Sequence, residues 1–149
     1  MTSRRSLHES DFYAWSLEQA ALLRAGRIGE ADLDAIAEEI ESMGKSEKRQ
    51  LVGRLTAALL HLLKWQHQAA FRSTSWRLTL EERRNRLEDH LADNPSLKSS
   101  LFETVVAAYR NAVLGAARET GRDRNVFPIA CPWSFEQLMD PNFYPEATN

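Results

Sequence analysis

Proline placement constrains this chain more than any other feature. Of its five prolines, Pro128, Pro132, Pro141 and Pro145 fall in the last 22 residues, and only Pro95 interrupts what precedes them. A proline fixes φ and lacks an amide hydrogen, so helix interiors exclude it. Everything up to Phe127 is therefore open to helices, and the apolar residues there recur at the helical period rather than alternating as in a half-buried strand. The spacing predicts five helices. The first runs from about Asp11 to Arg24 behind a Ser10 cap, with Phe12, Trp15, Gln19, Leu22 and Leu23 on one stripe. The second, about Glu30 to Met43, turns Leu33, Ile36, Ala37, Ile40 and Met43 inward and ends at Gly44. The third, about Ser46 to Ala70, is the most apolar and is placed at the centre, with Leu60 projecting from the side opposite its main face. The fourth covers about Ser75 to Leu91. The fifth opens at Asn94-Pro95 and stops at Gly121. Gly53 and Gly115, which fall inside periodic segments, mark expected close approaches between helices.

From Phe127 onward the chain is too rich in proline to be helical and too apolar to be a free tail. It is expected to strap across the helices, with Ser134 and Gln137 forming a capping box at one short turn. The expected fold is thus all-α, an antiparallel bundle of about five helices in a single domain spanning residues 1–149. Residues 1–9 are expected to be flexible and 122–149 irregular.

Composition excludes several function classes. The 19 basic and 21 acidic residues leave a formal charge of -2, so a domain-wide field for nucleic acid or anionic lipid is missing. Nucleic-acid binding is disfavoured on that ground. The single cysteine, Cys131, excludes an intrachain disulfide framework, and the basic N-terminal residues Arg4 and Arg5 are not followed by the apolar core of a secretory signal. The longest apolar stretch, Leu55 to Leu63, is broken by Thr56 and His61 and is short of the ~20 residues that a membrane span needs. A cytoplasmic protein without a membrane partner is the expectation. Phosphate loops, Gly-x-Gly-x-x-Gly and Gly-x-Ser-x-Gly are missing from the sequence, so no cofactor is expected.

Several short segments, taken in order, carry a resemblance. They are Asp11-Phe12-Tyr13 with Trp15, Glu38-Glu39-Ile40-Glu41 with Met43-Gly44, and His61-Leu62-Leu63-Lys64-Trp65-Gln66. Farther on come Ser75-Trp76, Pro95-Ser96-Leu97, Glu119-Thr120-Gly121, and Phe127-Pro128 with Cys131-Pro132. The chain resembles, from about Asp11 to Pro145, the bacterial domain-of-unknown-function family number 29. That resemblance implies a small all-helical protein and brings no catalytic residue with it. One departure is local: Gln68-Ala69-Ala70 stands where the family tends to have a proline, which lets the third helix run on.

Five side chains are candidates for chemistry. Glu38 and Glu41 lie three apart on one face of the second predicted helix, where a pair of carboxylates suits a general base. An amphipathic helix has charged borders as a rule, so a solvated face explains them as well. His61 titrates near neutrality when unperturbed and is followed at i+3 by Lys64, which suits proton transfer beside a stabilising cation. A histidine at a core edge is more often a hydrogen-bonded structural group. Arg84 borders a buried stripe and needs either an internal partner or a bound anion. His61 and His67 are six apart, about 120° around a helix, and cannot chelate one metal by themselves. With neither His-Glu-x-x-His nor Glu-x-x-His in the sequence, no metal site is expected. Two readings follow. The first is a noncatalytic helical module that binds a protein partner or a second copy of itself. The alternative is a small hydrolase or phosphate-ester enzyme that uses Glu38, Glu41, His61, Lys64 and Arg84 between the second, third and fourth helices.

Overall fold

The computed structural model describes the backbone of residues 4–148 and the side chains of residues 7–148. It is all-α, with no strand among the described residues. Among the described residues six α-helices follow one another: α1 Arg4–Ser10, α2 Phe12–Arg24, α3 Leu33–His67, α4 Thr74–Asp93, α5 Leu101–Thr120 and the short α6 Phe135–Met139. Short 3-10 turns connect them. The chain divides into two compact units, Met1–Ser46 and Glu47–Asn149.

The two predicted helices on either side of Gly44 are one. Gly44 sits inside α3 with ordinary helical geometry, and only Gly26 and Gly121 adopt positive φ. A mid-helix glycine costs about 1 kcal/mol relative to alanine. That cost is met by the helix formers around it, Met43, Lys45, Glu47 and Lys48, and by an unbroken ladder of backbone hydrogen bonds. Gly26 and Gly121, in contrast, follow α2 and α5 in the left-handed region, the second at the stop that the sequence predicted.

In the first unit Asp11, not Ser10, caps α2 by accepting from the Ala14 amide at 3.0 Å. Ser10 belongs instead to α1, which occupies residues 4–10 where flexibility was expected; residues 1–3 lie outside the described part. Asp32 caps α3 by accepting from the Ala35 amide, and its own amide donates to Gln19 Oε1 at 2.7 Å, which ties α2 to the start of α3. Trp15, Gln19 and Ala35 are the buried ones among this unit's described residues. The expectation that Leu33, Ile40 and Met43 turn inward does not hold: Ile40 is 63% and Met43 68% exposed.

The second unit holds the large core. Leu51, Leu55, Leu59, Leu62 and Leu63 from α3 pack with Leu80, Leu87 and Leu91 from α4 and with Ala108, Ala112 and Ala116 from α5. Phe127, Trp133 and Leu138 from the proline-rich segment belong to the same cluster. Small side chains on α5 let helices approach. A Cβ on Gly115 would overlap the Leu60 side chain, so this glycine is where the sequence placed a close contact; Gly53 has open space instead. Asn94-Pro95 begins a 3-10 turn, Pro95–Ser100, and α5 proper starts at Leu101. Ser134 and Gln137 form the predicted capping box of α6. No helix among the described residues is long and apolar enough to cross a membrane.

Candidate functional site

The sequence candidates fall in both units. Glu38 and Glu41 belong to the first, and His61, Lys64 and Arg84 to the second. The turn at Gly44 that would have made Glu41 and His61 residues of two successive helices is missing. Both are α3 residues, twenty positions apart.

Glu38 and Glu41 line a cavity of about 400 Å3 with His8, Asp32, Asp34, Ala35 and Ala37. The imidazole of His8 lies 2.6 Å from Glu39 and packs edge-on to Trp15, so α1 is tied to both α2 and α3. Among the described residues no group of three histidine, cysteine or carboxylate side chains is placed to hold a metal ion.

His61 is 7% exposed, and its Nε2 lies 2.8 Å from the Trp76 carbonyl oxygen. A carbonyl only accepts, so Nε2 carries the proton and donates. Burial pushes the imidazole below its ordinary value. The hydrogen bond to Trp76 opposes that shift in part, and the cations Lys64 and Arg83 add to it. The Lys64 ammonium sits 3.6 Å from Glu119 and 5.0 Å from the centroid of the Trp76 ring, close enough to His61 to act on its charge. A half-exposed ion pair and a cation over a ring position a lysine without freeing it.

Arg84 is 4% exposed, and its donors go to backbone. Nε donates to Leu138 O and Nη2 to Phe143 O, each at 2.7 Å, and the guanidinium lies 5.5 Å from the centroid of the Tyr144 ring. Burial lowers its pKa, and Tyr144 and Asp140 partly restore it. This is the internal partner that a buried guanidinium requires, supplied by carbonyls rather than by a carboxylate.

Around Arg84 is an anchor that the sequence reading missed. Tyr144 lies 4.8 Å from Trp65, centroid to centroid, and Arg77 stands over both rings at 4.8 and 5.1 Å. Arg72 stacks on Trp65 at 4.8 Å while its Nε donates to Trp65 O and its Nη2 to Pro145 O. Thr148 completes the attachment, its amide donating to Gln66 O at 3.0 Å and its hydroxyl meeting His67 Nδ1 at 3.0 Å. The aromatic residues near the C-terminus and the arginines of α4 were each visible in the sequence; nothing in their spacing pairs them. Cys131 is half-buried, its thiol held 3.4 Å from the Trp133 carbonyl, and burial pushes its pKa up. That environment makes it a poor nucleophile.

A surface, rather than a cluster of reactive groups, distinguishes the first unit. Leu33, Ile40 and Met43, with half-buried Ile36, recur along α3 at intervals of three, four and seven residues, which puts them on one side of the helix. Phe12, Tyr13, Leu17 and Ile28 of the same unit are also exposed. The family model of the domain of unknown function DUF29 matches residues 7–144. No curated protein and no solved structure matches the chain.

Proposed function

The chain belongs to the DUF29 family, and since that membership brings no activity with it, we propose from its own surface that it is a noncatalytic helical interaction module. The observation that supports the reading is the apolar stripe on α3, Leu33, Ile40 and Met43 exposed with half-buried Ile36 between them. Full burial of such a side chain is worth about 1.5–3 kcal/mol, so roughly 1 kcal/mol is left unrealised at each half-exposed position. Exposed single leucines are ordinary, whereas a run of them on one helical face, in a unit with so few buried residues, has the pattern of a contact surface. A second copy of the chain is the first partner to test. Two copies would bury two stripes, and the gain must exceed an association cost of some 4–15 kcal/mol, so the assembly is expected to be reversible and concentration-dependent.

The enzyme reading needs free reactive groups. The Nε and Nη2 donors of Arg84 are instead engaged by carbonyls, and the Nε2 proton of His61 by another, which leaves only its Nδ1 for a proton. A lone cysteine, which forms no intrachain disulfide, suits a reducing compartment, and we propose the cytoplasm.

The test is light scattering across micromolar to millimolar protein, with Ile40→Asp and Met43→Asp beside the parent chain. Both positions are exposed, so each variant should keep its helical circular dichroism. The parent should associate and the variants should remain monomeric. A parent chain that stays monomeric throughout, or variants that associate equally, would overturn the reading.

A further inference from the structure

A second feature lies wholly within the second unit. Tyr109, Arg110, Val113 and Leu114 of α5 and the segment Arg124 to Ile129 enclose an open groove of about 570 Å3. Its lining combines two chemistries. Val113, Leu114, Phe127 and Ile129 make an apolar floor and wall, and Ile129 is fully exposed at the edge. Arg110 and Arg124 supply two cations, Asn111 and Asn125 supply amides, and no acidic side chain lines the groove. Three other arginines of this unit are engaged. Arg72 and Arg84 give their donors to backbone carbonyls, and Arg86 pairs with Glu82. Arg110 and Arg124 have no such partner among the described residues. Of the acids close to them in sequence, Glu119 faces Lys64, and Asp123 caps the turn by accepting from the Asn125 amide, outside the groove lining. The groove also has a fixed edge. The Tyr109 hydroxyl donates to Pro128 O at 2.6 Å, which holds the 127–129 segment against α5.

Two unpaired guanidinium groups beside an apolar trough fit a ligand with an anionic head and a hydrocarbon tail. Guanidinium groups favour carboxylates and phosphates through paired N–H donors, and the trough removes methylenes from water. Neither half suffices alone. An inorganic anion at an open surface would be held only by screened charge, and an uncharged chain would gain only partial burial. We propose that this groove binds small amphipathic anions, a carboxylate or phosphate monoester on an alkyl chain, with Arg110 and Arg124 at the head and Val113, Leu114, Phe127 and Ile129 along the tail.

The experiment is titration of the full chain, followed by backbone amide chemical shifts, with hexanoate, octanoate and decanoate below their micelle concentrations. Octyl phosphate, octanol and inorganic phosphate complete the set. Affinity should rise with chain length, by up to about fourfold per methylene buried. Shifts should localise to residues 109–114 and 124–129. Arg110→Gln and Arg124→Gln should each weaken octanoate by about fivefold, the size of one exposed ion pair, and added salt should do likewise. Both residues are exposed, so the fold should survive either change, checked by circular dichroism. Comparison of octanoate with octyl phosphate shows which head the groove prefers. Octanol binding as well as octanoate would overturn the proposal, and so would shifts scattered over the apolar stripe of the first unit, inorganic phosphate alone producing the same shifts, or no binding at millimolar ligand.

Discussion

Replacing Arg84 by lysine tests whether this buried cation is a structural anchor or a group held for a ligand. The guanidinium donates to two carbonyls, Leu138 O and Phe143 O, from two different nitrogens. A hydrogen bond to a charged group contributes about 1.5–3 kcal/mol. Lysine keeps the charge, but its single ammonium on a flexible stem cannot take the place of the forked pair, so one of these bonds is lost. The stacking over Tyr144 weakens as well. The expected loss is therefore about 1.5–3 kcal/mol, which for a chain of this length is roughly 3–12 °C in Tm. Urea unfolding followed by tryptophan fluorescence measures it, with the slope checked for an unchanged transition. Because both carbonyls lie in the C-terminal segment, limited proteolysis should also cut the variant faster between Asp140 and Asn149 than the parent. An Arg84→Lys chain within about 0.5 kcal/mol of the parent, and no faster cleaved, would refute the anchor and reopen an anion at that position.

Gly115→Ala forces the Leu60 side chain to move, so the roughly 1 kcal/mol gained in helix propensity should be largely or wholly cancelled. The same change in a Leu60→Ala background should become stabilising, and equal effects in both backgrounds, measured by urea unfolding, would contradict the contact. His61 and His67 both have pKa values lowered by burial, so the unfolded chain binds protons first as pH falls. Their contribution is complete above about pH 6.5 and is lost as the pH drops from there toward their folded values, with a slope of up to about 1.4 kcal/mol per pH unit for each. Unfolding free energies compared between pH 7 and pH 5 should show that slope, and His61→Gln should reduce it; a flat profile would argue against buried neutral imidazoles. Tyr109→Phe removes the hydroxyl that holds Pro128 O and should cost about 0.5–1.5 kcal/mol. The hydroxyl's own ionisation, pushed up to about 12 by burial, should fall to the ordinary range only when the chain unfolds, which ultraviolet titration detects.

The fold was legible wherever a local signal met no competitor. The Gly121 stop, the Ser134–Gln137 capping box and the third helix's Leu51, Leu55, Leu59 and Leu62 each rest on residues close in sequence, and each is present. Gly44 was misread because a glycine ends a helix only where the following residues favour a turn. Here they favour helix, and a continuous ladder outweighs one unfavourable position. The error spread from that residue. Once Gly44 was taken as a stop, Leu33, Ile40 and Met43 looked like the core face of a separate helix, whereas the structure leaves them at the surface. Hydrophobic period reports that a helix has an apolar side; it does not report what covers that side.

The candidate site was less legible for a related reason. Motif reasoning pairs side chains with side chains, and it expected a carboxylate or a bound anion for Arg84; for His61 it weighed proton transfer against the commoner hydrogen-bonded structural histidine, and the second matches the contact found. Both found main-chain carbonyls, Arg84 at residues 54 and 59 positions away and His61 at one 15 positions away. A carbonyl is offered by every residue, so no sequence pattern marks the one that a folded chain will present. What the sequence does record is the constraint behind such contacts: a cation or imidazole on a buried stripe must find an acceptor. Arg110 and Arg124 lie outside that constraint, since exposure leaves them hydrated and their donors available. Within the second unit, the buried arginine is thus the weaker guide to a ligand and the exposed pair beside an uncovered apolar groove the stronger one.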